Sequence, residues 1–78
     1  MAKKYYNTVE EIGELVRQTR KTQGITQTQL AQLAGTGARF ISDLENGKTT
    51  CQLEKFLRVV HTLGLDVFIY SRWDRTDE

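Results

Sequence analysis

The sequence predicts a small, mainly α-helical fold with four short helices followed by one β-strand. Apolar residues recur at the spacing of an amphipathic helix in four segments, at about 9–22, 27–34, 38–45 and 51–63. A glycine follows each segment within two residues, and the chain contains no proline. A last apolar segment, 65–70, is rich in β-branched and aromatic residues and is too short for another helix, so it is predicted to be a strand.

The first predicted helix begins with a capping box. Thr8 and Glu11 have the T-x-x-E spacing at which each side chain accepts a hydrogen bond from a backbone amide of the other residue. The apolar face that follows consists of Val9, Ile12, Leu15, Val16 and Thr19. We therefore expect a helix that ends before Gly24.

Two further helices are predicted on either side of a glycine-containing turn. Thr26 and Gln29 again have the spacing of a capping box, and Gly35 suits the left-handed conformation that ends many helices. The apolar positions of the second helix are Leu30, Ala31, Leu33 and Ala34. In the third helix, one side consists of Phe40, Ile41 and Leu44, and the other of Ala38, Arg39, Ser42 and Asp43.

The fourth helix and the strand complete the fold. The inner face of the helix is predicted to consist of Leu53, Phe56, Leu57, Val60 and Leu63. The strand cannot satisfy its own backbone, and Tyr5-Tyr6 is too short to be a good partner. Pairing with the same strand of a second copy solves this problem. We therefore expect a homodimer held together by Leu65, Val67, Phe68, Ile69 and Tyr70.

Composition is that of a small globular domain, 38% hydrophobic and 27% charged. The net charge is only +1, but residues 1–60 hold nine Lys or Arg against six Asp or Glu, and residues 61–78 hold two against four. The single cysteine, Cys51, excludes an internal disulfide and fits the cytoplasm.

We expect no membrane span, targeting segment or cofactor. His61 has no metal-ligating neighbour at suitable spacing, and no catalytic cluster is present, so we do not expect an enzyme.

Five positions have the spacing of a DNA-binding helix-turn-helix: Gln27, Ala31, Gly35, Ile41 and Leu44. A small residue is needed where the two helices cross, and glycine is needed at the turn. With the I-S-D-L-E-N-G-K sequence at 41–48, residues 9–64 resemble the Xre/Cro family of regulators. The resemblance implies a lambda-repressor-like bundle of four to five short helices with an internal Arg20–Glu45 ion pair. The alternative is an αα-hairpin with no DNA-binding role.

The resemblance implies that the third helix enters the major groove of double-stranded DNA, N-terminal end first. The predicted contacts there are Gly37, Ala38, Arg39, Ser42 and Asp43. Arg39 is the best base-contacting residue, since its guanidinium can span two acceptors of guanine; the alternative is a phosphate contact. Asp43 can accept a hydrogen bond from the amine of a cytosine, lie clear of the DNA, or pair with Arg39. We favour the pairing because the two residues are four positions apart.

Phosphate contacts are expected from both flanks of the third helix. Gln27 and Thr28 begin the second helix, where free backbone amides attract anions. Loop residues expected to contribute are Thr36, Lys48 and Thr49. Because few cations are available per protomer, we expect the homodimer to bind a palindromic operator with two half-sites.

A narrower resemblance covers residues 37–53 and L-G-L-D-V-F-I-Y at 63–70, which look like the HipB-type antitoxins. This resemblance implies a dimeric autorepressor that binds and neutralises a HipA-like serine/threonine kinase toxin. Residues 1–70 would then form the DNA-binding domain with its dimerisation strand, and 71–78 a flexible polar tail. Trp73 in that tail is a hypothetical toxin contact; its alternative is packing against Tyr70 or the dimer sheet.

Three rival functions stay open at this stage. A phage- or plasmid-type repressor without a toxin would bind DNA in the same way. A protein-interaction adaptor that has lost DNA binding stays open because the third helix has few cations. A small nuclease would need a catalytic cluster that the sequence lacks.

Overall fold

The computed structural model describes residues 5–48 and 52–73 and contains four helices there. These are α1 (Val9–Thr22), α2 (Gln27–Ala34), α3 (Ala38–Glu45) and α4 (Leu53–Thr62). The first three agree with the predicted boundaries. α4 begins later and ends one residue earlier than predicted. The mainly helical fold class is confirmed.

Local signals explain where α1 begins and where α2 begins and ends. Thr8 Oγ1 accepts a hydrogen bond from the Glu11 amide at 3.1 Å. At α2, the Gln29 amide donates to Thr26 Oγ1 at 3.0 Å, and the Thr26 amide donates to Gln29 Oε1 at 2.8 Å. Gly35 ends α2 with φ +75°, in the left-handed region. The predicted capping box of α2 is therefore confirmed. At α1, Thr8 caps the helix as predicted, but the Glu11 carboxylate accepts from the Asn7 amide, at 3.1 Å, in place of the predicted Thr8 amide.

α3 packs against both α1 and α2, and α4 packs against α2. The core between them is apolar and contains Val16, Leu30, Ala31, Ala34, Ile41, Leu44, Val59, Val60 and Leu63. Ile25, Ala38, Phe40, Phe56 and Leu65 pack against its edge. None of the helices described is long and apolar enough to cross a membrane.

Several predicted faces need correction. Leu33 and Leu53 were expected to face the core, but they are 67% and 69% exposed. Val59 was not expected in the core and is fully buried. Ala38 was placed on the outer side of α3 but lies half-buried against the core. Helical spacing fixes which residues share a face; the neighbouring helices then decide how much of that face they cover.

The segment 65–70 forms no strand within the described part of this single chain. The amide of Leu65 donates to the Val60 carbonyl at 2.9 Å, which closes the end of α4. Leu65 is half-buried against the core, and residues 66–70 after it are exposed. A strand that pairs across a dimer needs a second chain, so that pairing stays a prediction.

Candidate DNA interface

The turn between α2 and α3 places the N-terminal end of α3 at the surface. After Gly35, the Thr36 amide donates to the Ala31 carbonyl at 2.9 Å. Gly37 is the N-cap of α3 in an extended conformation, with no capping side chain. A Cβ at Gly37 would meet no atom within 4 Å. The backbone at this end of α3 is therefore open to close approach by a ligand.

Two buried anchors hold α3 in place. Ile41 is fully buried and Leu44 is 8% exposed, and both lie in the core beside Ala31 of α2. Ala31 is itself 2% exposed, as expected for a small residue at a close helix crossing. These contacts agree with the roles that the helix-turn-helix spacing predicted for the three residues.

A buried ion pair fixes the C-terminal end of α3, as predicted. Arg20 on α1 donates to both carboxylate oxygens of Glu45, from Nε at 2.6 Å and from Nη2 at 3.1 Å. Arg20 Nη1 also donates to the Ile25 carbonyl at 2.8 Å. Gln27 Nε2 adds a third donor to Glu45, at 3.0 Å. Bidentate geometry with the remaining polar atoms satisfied is the condition under which a buried ion pair can hold elements in register.

The protonation states of this pair follow from its surroundings. Burial alone would raise the pKa of Glu45. Hydrogen bonds from Arg20 and Gln27, with the attraction of the nearby positive charge, outweigh burial, so the pKa of Glu45 lies below its ordinary value. The hydrogen bond that Arg20 donates to Glu45 raises the pKa of Arg20. Both partners therefore stay charged at neutral pH.

The outer face of α3 presents one strongly exposed cation. The Arg39 side chain is 88% exposed, and its Nε lies 4.0 Å from Asp43 Oδ2. The other carboxylate oxygen of Asp43 lies 3.6 Å from Lys48 Nζ. The favoured pairing of Asp43 with Arg39 is present, and Asp43 also holds Lys48, which the sequence did not predict. Ser42 is half-buried on the same helix.

The residues predicted to contact phosphate lie in different surroundings. Thr28 is exposed, Thr36 is half-buried, and the Lys48 side chain is 57% exposed. The Gln27 side chain binds Glu45, which leaves its backbone amide, in the first turn of α2, as the group suited to an anion. Thr49 lies outside the described residues, as does Cys51.

The predicted dimerisation segment is largely uncovered. Phe68 is 80% exposed, Ile69 91% and Tyr70 76%, whereas Val67 is 40% exposed. Trp73 is 94% exposed and does not pack against Tyr70 in the single chain. Beside this segment lies an apolar groove of about 570 Å³, whose lining includes Tyr5, Leu15, Phe56, Val67 and Phe68.

Three further features near α3 were not predicted from the sequence. Gly13 on α1 is buried against the carbonyl groups of Leu44 and Glu45. On α4, Lys55 and Arg58 were taken only as outward-facing, yet both lie close to the helix-turn-helix. For Gly13, the only signal in the sequence was a glycine within a predicted helix. For Lys55 and Arg58, only the tertiary packing shows that they lie near α3.

Comparisons with known proteins agree with this geometry. The family model described as "Helix-turn-helix domain" matches residues 11–67. The uncharacterized HTH-type transcriptional regulator y4mF of Sinorhizobium fredii is 48% identical over 75 residues, covering 96% of this chain and 97% of the relative. The ImmF control region 10 kDa protein of Bacillus phage phi105 is 28% identical over 58 residues, covering 74% of this chain and 64% of the relative.

A solved structure shares the fold. The HipA-HipB-O2-O3 complex contains a chain that superposes with a TM-score of 0.76 at 24% identity, covering 91% of this chain and 99% of that one. The predicted helix-turn-helix is therefore confirmed, and the predicted likeness to HipB is confirmed in the fold. The chain belongs to the helix-turn-helix domain family and is a DNA-binding transcriptional regulator.

Proposed function

We propose that the chain is a dimeric autorepressor and antitoxin, which binds a palindromic operator of its own operon and neutralises a HipA-like serine/threonine kinase toxin. The observation that carries the DNA-binding part is the outer face of α3. This face presents the exposed Arg39 on a helix that the buried Arg20–Glu45 pair holds in place.

In this proposal, Arg39 contacts a guanine in the major groove. A bidentate arginine contact of this kind discriminates against a wrong base by about 1–3 kcal/mol. Asp43 steadies the guanidinium, and Gly37 lets the backbone approach the DNA closely. Ser42 is placed one turn further along, where its hydroxyl can contact a base or the backbone.

The exposed apolar residues 67–70, and the groove of about 570 Å³ that Val67 and Phe68 help to line, support the dimer. Exposed apolar side chains in contiguous patches usually mark an interaction surface. A second copy of 65–70 would satisfy the backbone of this segment and cover those side chains. The two copies of α3 would then meet half-sites about one helical turn, 34–36 Å, apart.

The antitoxin part depends on likeness to HipB, which was solved together with HipA. The exposed Trp73 offers an aromatic anchor for a protein partner.

The phage control-region relative favours the second candidate function, a repressor without a toxin.

Footprinting of the protein on its own upstream DNA tests the operator, with Arg39→Ala and Arg72→Ala compared. We expect Arg39→Ala to lose about ten-fold or more in preference for the operator over unrelated DNA. Arg72→Ala, which removes an exposed arginine far along the chain from α3, should bind as the wild type does. If the wild type fails to retard its promoter fragment at low salt, the adaptor function is the correct one.

Co-expression with the product of a neighbouring kinase-fold gene tests the antitoxin role. We expect the two proteins to co-purify, and Trp73→Ala to weaken the complex while operator binding is retained. Operator binding without any kinase-fold partner would favour the stand-alone repressor.

A further inference from the structure

Two cations on α4 lie beside the N-terminal half of the helix-turn-helix. Lys55 Nζ lies 6.0 Å from the centroid of the Phe40 ring, and Phe40 directly follows Arg39 on α3. Arg58 Nη1 lies 3.2 Å from the position that a Cβ of Gly35 would occupy. Both cations therefore adjoin the turn and the end of α3 that is predicted to enter DNA.

The packing of α4 puts these side chains there. α4 packs against α2. Lys55 and Arg58 are three residues apart on α4, so they lie on the same side of that helix. Lys55 is half-buried, as is usual where the aliphatic stem of a lysine covers apolar surface. Arg58 is exposed at the turn.

Lys55 lies over the Phe40 ring, but neither Lys55 nor Arg58 forms an ion pair within the part of the chain that the structure describes. Among the residues that the structure describes, the ion pairs join Glu45 to Arg17 and Arg20, and Asp43 to Arg39 and Lys48. The charges of Lys55 and Arg58 have no carboxylate partner in that part of the chain. They are available to an external anion.

We propose that Lys55 and Arg58 bind the phosphates along one wall of the major groove that α3 enters. This inference rests on the proposed DNA-binding mode of α3. The major groove is about 12 Å wide, and a helix with its side chains is about 10–12 Å across. Cations at the flank of α3 therefore lie at the phosphate wall. Arginine suits bidentate phosphate contact, and lysine acts as a point charge.

This assignment changes the charge count of the interface. With Arg39 on α3 and Lys48 in the loop after it, Lys55 and Arg58 on α4 bring the number of cations at the proposed interface to four per protomer. Phosphate contacts carry no base preference, so Lys55 and Arg58 supply affinity and orientation.

The salt dependence of operator binding tests the proposal. Each phosphate contact contributes about 0.9 to the slope of log K against log salt, so a dimer that loses four contacts should lose about 3.6. We expect this decrease in the double variant Lys55→Gln/Arg58→Gln, with weaker binding at low salt. Its preference for operator over unrelated DNA should be unchanged. The Arg72→Gln control should keep the wild-type slope.

A charge-conserving variant separates charge from folding. Lys55→Arg/Arg58→Lys should keep the wild-type slope, and circular dichroism should show both double variants folded. A folded glutamine variant with the wild-type slope and affinity would overturn the assignment. Failure of the wild type to bind its promoter fragment would instead overturn the proposed function.

Discussion

Glu45 determines how firmly α3 is attached to the rest of the molecule. Its carboxylate receives hydrogen bonds from Arg20 on α1 and Gln27 on α2, so one side chain joins three helices. It is buried, and its pKa is lowered in the folded chain. Among the described residues, no buried side-chain nitrogen or oxygen lacks a hydrogen-bond partner. Loss of the carboxylate would leave Arg20 buried without its counter-charge.

We expect Glu45→Gln to lower the free energy of unfolding at pH 7 by about 3–5 kcal/mol, the usual cost of removing one partner of a buried pair. The wild-type contribution is fully present above the unfolded pKa of about 4.3. It is lost as pH falls through the lower folded pKa. Urea denaturation from pH 7 to pH 3 should therefore show the wild type approaching the variant at acid pH.

Glu14→Gln is the control, since Glu14 is an exposed carboxylate on α1. Its pH profile should follow that of the wild type. A stability difference between wild type and Glu45→Gln that stays constant down to pH 3 would contradict the assigned role of the carboxylate.

The crossing of α1 and α3 is the contact between elements that tolerates least change. A Cβ at Gly13 would collide with the backbone carbonyl oxygen of Leu44 and lie 3.0 Å from that of Glu45. Backbone atoms cannot rotate away as a flexible side chain does. The absence of a side chain at Gly13 therefore sets the distance between α1 and α3.

Gly13→Ala should destabilise the fold by about 1–3 kcal/mol, because the collision outweighs the gain in helix propensity. Thermal unfolding followed by circular dichroism measures this change. Glu14→Ala, at the exposed neighbouring position, should unfold near the wild-type temperature. Equal stability of Gly13→Ala and wild type would mean that α1 and α3 can separate without cost.

Local chemistry explains which elements could be predicted from the sequence. Thr8, Thr26 and Gly35 act through bonds within a few residues, so the start of α1 and the bounds of α2 could be predicted. The exposure of Leu33 could not be predicted from the sequence, because it depends on which parts of α2 are covered by the neighbouring helices. The same limit applies to the Gln27–Glu45 bond, which joins residues 18 positions apart.

At the scale of the whole molecule, the proposed dimer would cover an apolar segment that the single chain leaves exposed. Phe68 and Ile69 are 80% and 91% exposed and add little packing within the single chain. Burial of apolar surface stabilises association by about 25 cal/mol per Å² before its costs are counted. Two such segments that pair would also complete the backbone hydrogen bonds of 65–70.

We expect Phe68→Ser/Ile69→Ser to convert a dimer into a folded monomer, which sedimentation velocity would detect. Thermal stability of the helical core should change little, because neither side chain contributes to that core. Operator affinity should fall steeply, since the two half-sites would no longer be bound by one particle. Leu53→Ser, which alters an exposed apolar residue on α4, should remain dimeric. A wild-type monomer, or a double variant that stays dimeric and binds the operator normally, would show that the 65–70 segment does not hold the dimer together.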